Sequence, residues 1–222
     1  MTEHAREKRS IGQILKHPLA NVIIGFLLTG VLGTAITQYY IAVREKQAQQ
    51  RELATTRKES IAELSALNAE YLARADMLLA AIDRGDESSA TKLKAMFDDA
   101  AVRWQTGKAP ALMAARDILP HQIFIQFRDR FDKGFHDRFL VPLGTCVKKA
   151  ADALVDGEDV AAVLQACHAR DYLAQASTCS QSLLDMLYDL SAYTVHGELE
   201  EALQANRDTY RAVVQQACSS EP

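Results

Sequence analysis

Residues 19–43, LANVIIGFLLTGVLGTAITQYYIAV, run for twenty-five positions without a charged side chain. A helix rising about 1.5 Å per residue over that length exceeds the roughly 30 Å hydrocarbon core of a bilayer. The expectation is one transmembrane helix, with Tyr39 and Tyr40 at the level of an interfacial aromatic belt. A buried helix of a water-soluble core is the alternative, but core helices this long ordinarily carry charge. Cleavage as a signal peptide is a second alternative, because Gly33-Thr34-Ala35 offers small residues at a peptidase spacing. Against it, the apolar run continues past Ala35 and is longer than a usual leader.

The span divides the chain into an expected tail at 1–18, the transmembrane helix at 19–43, a helical stalk at 44–60 and a bundle domain at 61–222. Within the span Gly25, Thr29, Gly33 and Thr37 recur every four residues. Such a stripe lets two membrane helices approach closely, and predicts self-association or packing on a partner's helix. The tail carries Arg6, Lys8, Arg9 and Lys16 against Glu3 and Glu7, a net +2. The whole chain is −4 and the span is neutral, so residues 44–222 carry −6. A net acidic domain has no electrostatic footprint for nucleic acid. Lys and Arg counts on the two flanks nearly tie, so they do not set the orientation.

Cysteine placement speaks to orientation instead. Gly157 and Gly197 read as helix stops. Cys146 and Cys167 flank the first nearly symmetrically, and Cys179 and Cys218 the second. If each stop joins two helices folded back as a hairpin, each hairpin is stapled by one disulfide. Four cysteines allow three connectivities and the sequence does not choose among them; four reduced, buried thiols are the competing reading. Disulfides imply an oxidising compartment. The consistent topology is an inner-membrane protein with a cytoplasmic N-terminus and a periplasmic domain.

Everything after the span reads as helix. Residues 44–57, REKQAQQRELATTR, are good helix formers with little to bury. Leu53, Ile61, Leu64, Leu67, Tyr71, Leu78 and Ile82 then fall near one face, and Gly85 stops the helix. A second helix is expected to end at Thr106-Gly107, with Trp104 in the core. Pro110 and Pro120 are expected to open further helices, and Pro142 and Gly144 to end the one from 120. Residues 120–140, PHQIFIQFRDRFDKGFHDRFL, place Phe124, Phe127, Phe131, Phe135 and Phe139 on one aromatic face, with Gly134 as a possible kink. The primary reading is a core helix with an ion-paired outer face. The alternative is a partner surface built from Phe127, Arg128, Arg130, His136 and Arg138. Two hairpins, 145–156 with 158–169 and 171–195 with 198–218, complete an all-α antiparallel bundle.

No motif marks a catalytic or metal centre. His-Glu-x-x-His, Glu-x-x-His, Cys-x-x-Cys, a Gly-rich phosphate loop and Gly-x-Ser-x-Gly are all absent. Ser89-Ala90-Thr91-Lys92 has the Ser-x-x-Lys spacing of penicillin-recognising enzymes but lacks their Ser-Asp-Asn and Lys-Thr-Gly elements, so Ser88 or Ser89 reads as a helix cap. Arg84-Gly85-Asp86 reads as a turn. The expected class is a non-catalytic membrane-anchored interaction module without metal or cofactor: an accessory subunit, scaffold or inhibitor binding a protein partner. A ligand-sensing bundle acting through a partner is the alternative, and a membrane-bound enzyme of unmarked type a third.

Overall fold

The computed structural model describes residues 33–116, 119 and 121–196, together with 22, 25, 26, 30, 208, 212, 216 and 218. Among these residues there are helices and no strand. The helices are α1 (Gly33–Asp83), α2 (Glu87–Arg116), α3 (His121–Asp129), the π-helix π1 (Arg130–Leu140), α4 (Val141–Val155), α5 (Val160–Cys167) and α6 (Ala169–His196). The chain divides into two units, 1–52 and 53–222.

In the first unit the described residues are helical and their large apolar side chains face outward. Val22, Phe26, Ile36, Tyr39, Tyr40 and Ile41 are all exposed. Thr37 turns its hydroxyl inward and donates to the Gly33 carbonyl at 2.8 Å. Among the described residues no helix is long and apolar enough to cross a membrane. Ten of the twenty-five positions of the expected span, Thr29 among them, lie outside the described residues, as does the whole tail.

The second unit is built on the 53–83 part of α1, whose buried positions Ile61, Leu64, Asn68, Tyr71, Ala75, Leu78 and Ile82 alternate in steps of three and four. That spacing makes one continuous inward stripe. Gly85, at φ 66°, turns the chain back, a left-handed conformation that costs glycine nothing. Asp86 caps α2 by accepting from the Ser89 amide at 3.0 Å. The hairpin is antiparallel: Arg74 meets Met96, Glu70 meets Arg103, and Leu67 lies against Gly107. Returning along α2, π1 and α4 bring Phe131 and Phe135 to Trp104, Gly144 to Phe97, Lys148 to Asp98 and Asp152 to Lys94. Helix α6 then runs antiparallel to α1, Arg170 pairing with Asp83 while Leu173, Ala174 and Ser177 face Leu72, Ala73 and Asp76. The result is an up-down-up-down bundle of α1, α2, π1–α4 and α6.

Three expected breaks are corrected. Helix α2 runs through Gly107 and Pro110 to Arg116 instead of ending at Thr106-Gly107. A Cβ at Gly107 would lie 2.6 Å from Leu67 Cδ1, so this glycine lets α2 approach α1 instead of stopping the helix. Likewise the helix from 121 does not end at Pro142 and Gly144. Pro142 occupies the first turn of α4, where its fixed φ and missing N–H are accommodated. Gly144 is a contact point, because a Cβ there would lie 2.5 Å from Tyr71 Oη. The expected turn at Gly157 is present, at φ 72°. The expected last helix, 198–218, falls mostly outside the described residues.

Candidate functional site

The most organised polar arrangement lies where π1 crosses α2. Phe124, Phe127, Phe131, Phe135 and Phe139 are all buried, so the aromatic face expected from spacing is the core face of this helix. Steps of four lead an α-helical face round. In the i→i+5 winding of π1 they lag, and the change of winding at Arg130 keeps the rings facing inward. Trp104 packs on two of them, stacked on Phe131 at 5.8 Å and edge-on to Phe135 at 6.0 Å, with Tyr71 at 6.3 Å.

Two hydrogen bonds complete the cluster. Tyr71 Oη donates to the Leu140 carbonyl at 3.0 Å, at the end of π1; burial pushes the phenol well above its ordinary pKa. Trp104 Nε1 donates to His136 Nδ1 at 3.2 Å. An acceptor Nδ1 carries no proton, so this bond belongs to the neutral ring with its hydrogen on Nε2. Burial first, and the Lys108 charge second, lower the His136 pKa, while Asp137 and Asp132 oppose them. The net effect is a lowered pKa, which keeps the imidazole an acceptor for the indole at neutral pH.

His136 is therefore half-buried and occupied, and Phe127 is buried at 2 % exposure. Arg128 is exposed, Arg130 half-buried, and the Arg138 guanidinium lies 5.7 Å from the Phe139 ring centre. Of the five residues of the alternative partner surface, Phe127 thus lies in the core and His136 accepts from Trp104. Sequence reading placed Trp104 in the core but did not pair it with His136. The two are thirty-two residues apart, and no local spacing marks such a bond.

Cys146 pairs with Cys167 across the α4–α5 hairpin, and Cys179 pairs with Cys218, with Cα–Cα distances of 5.7 and 4.8 Å. Among the described residues no group of His, Cys, Asp and Glu is arranged to hold a metal ion. An open groove of about 450 Å³ lies between α1 and α6, with apolar walls from Leu72, Leu173 and Ala174 and with Asp76, Arg170 and Ser177 at its polar positions. No family model, curated protein or solved structure matches this chain.

Proposed function

We propose that this protein is a non-catalytic, single-pass membrane-anchored helical module. It binds a protein partner in or beside the membrane, as an accessory subunit, scaffold or inhibitor. The observation that carries the reading is the outward-facing apolar surface of Ile36, Tyr39, Tyr40 and Ile41 on a helix that continues the uncharged stretch from residue 19. In water that surface is unfavourable, whereas in a bilayer it is solvated by acyl chains and headgroups. Two disulfides support an oxidising compartment for the bundle, hence a cytoplasmic tail and a periplasmic domain. The recurrence of Gly25, Thr29, Gly33 and Thr37 every four residues supports self-association or packing on a partner's helix. Alkaline carbonate extraction tests the anchor: the protein stays with the membrane pellet if the reading holds and is released if it fails. Copurification in mild detergent then tests the partner, and a lone monomer would refute the interaction role.

The α1–α6 groove favours a second reading, a bundle that senses a small molecule and signals through a partner. Its apolar walls, the Asp76 carboxylate and the Arg170 guanidinium, which is shared with Asp83, fit a small ligand with both charges. A thermal-shift panel of zwitterionic metabolites separates the two readings, provided Asp76→Ala abolishes any shift observed.

A further inference from the structure

Helix α5 is an anomaly in this bundle. It has eight residues, VAAVLQAC, with no charge, and none of them is buried, whereas the adjacent α4 buries seven. Val160, Val163, Leu164 and Cys167 touch the core only with half-buried side chains, and Ala161, Ala162, Gln165 and Ala166 are exposed. A helix this short does not hold itself together in water. Its ends are fixed by local devices: Asp159 accepts from the Ala162 amide at 3.1 Å, and His168 closes the helix in the left-handed region at φ 52°. Among the described residues His168 is the one non-glycine with positive φ, a conformation that non-glycine residues seldom adopt. The strained residue directly follows Cys167, the point at which α5 is tied to the bundle.

The two disulfides differ in the same sense. Cys179 and Cys218 are 0 % and 5 % exposed, whereas Cys146 is 3 % exposed and its partner Cys167 half-open to solvent. Disulfide exchange needs a thiolate to reach one sulfur, and access decides which bond is attacked. Of the four cysteines, Cys167 is the one that is not buried.

We propose that Cys146–Cys167 is a reducible clasp, an exchange site for a dithiol oxidoreductase, whose opening frees α5 from α4 while the rest of the bundle stays folded. One thiolate of the dithiol attacks Cys167 Sγ. The new S–S bond forms as the Cys146–Cys167 bond breaks, and Cys146 leaves as a thiolate. The second thiol of the reductant, deprotonated, attacks the sulfur bonded to Cys167, and Cys167 leaves in turn. The dithiol ends as a disulfide, two electrons pass to the protein, and its two protons end on Cys146 and Cys167. Freed, α5 keeps only half-buried contacts and relieves the His168 backbone, which leaves the α4 face around Cys146 open for a partner. The proposal needs the pair to be formed and does not depend on the membrane reading.

The test uses the intact protein in mild detergent, titrated with dithiothreitol. Thiols are trapped by alkylation and mapped, while amide exchange over 156–168 and the emission of Trp104, the single tryptophan, are followed. Cys146 and Cys167 should alkylate at dithiothreitol concentrations at least about ten-fold below those for Cys179 and Cys218. Exchange over 156–168 should rise at that step with Trp104 emission unchanged. Simultaneous reduction of both pairs, or earlier reduction of Cys179–Cys218, overturns the proposal. So does α5 protection that survives reduction. The double variant Cys146→Ala/Cys167→Ala should show the fast α5 exchange without reductant and an intact core; a variant that fails to fold makes the bond a structural staple and also overturns the clasp.

Discussion

The centre of the bundle and its clasped edge are built by opposite means. Around Trp104, Phe131, Phe135 and Tyr71 meet it ring to ring, with Phe97 against Tyr71 and Phe127 against Phe131, so each group is held by many neighbours. At α5 no residue is buried, and the segment is held by a covalent bond, an Asp cap and a left-handed histidine. Packed aromatics lose much when one is truncated, because the void cannot collapse. A covalently held segment loses little when a side chain is trimmed and much when its tie is cut. The stability of this protein is thus unevenly distributed, and α5 belongs to the part that opens first.

Truncation sharpens that contrast most. Phe135→Ala, at a fully buried position between Trp104 and Phe131, should cost about 3–5 kcal/mol in urea unfolding. Leu164→Ala on half-buried α5 should cost less than about 1 kcal/mol. Equal losses would erase the distinction between the regions. Next comes Gly144→Ala, which should destabilise by about 1–3 kcal/mol through its clash with Tyr71 Oη. If that contact is the cause, adding Tyr71→Phe should make the glycine substitution cheaper, and a double-mutant cycle measures the coupling.

Acid should weaken the centre before the edge. The folded His136 pKa is lowered, while the unfolded ring takes its proton near pH 6.5. The unfolded state then binds more protons, so the contribution of His136 is full above about pH 6.5 and is lost as pH falls below it, until the folded ring is protonated too. Protonation at Nδ1 also removes the acceptor for Trp104. The melting temperature should fall between pH 7 and 5 with a change in Trp104 emission. His136→Gln, which can still accept from the indole, should flatten the slope; an unchanged slope would assign the acid sensitivity elsewhere. Smallest of all is Asp159→Ala, which removes the α5 cap. It should loosen α5 by about 1 kcal/mol in amide exchange and leave the global unfolding midpoint where it was.

The surface ion pairs add little to either region. Arg103 grips Glu70 with two bonds of 2.6 and 3.1 Å, and Lys148 meets Asp98 at 2.6 Å. All four side chains are a third or more exposed, and pairs of that kind contribute about 0–1 kcal/mol each. Their use here is in marking which helices run side by side.

Much of this architecture is written locally. Helical class follows from a chain without alternating apolar runs, the turns at Gly85 and Gly157 from glycine between helix formers, and the aromatic face from phenylalanines three and four apart. Cys146 and Cys167, placed almost evenly about Gly157, pair across it, since an antiparallel hairpin brings equidistant residues together. Each of these signals acts within a turn or a hairpin, so neighbouring residues are enough to read it. Gly107 and Gly144 carry the same local signals, yet here they sit inside helices. Their role depends on Leu67 and Tyr71, forty and seventy-three positions away, whose side chains take the space a Cβ would fill. The π-helical winding and the bond from Trp104 to His136 are of the same kind. A backbone break is a local property, whereas a close approach belongs to two helices at once and exists only after they have packed.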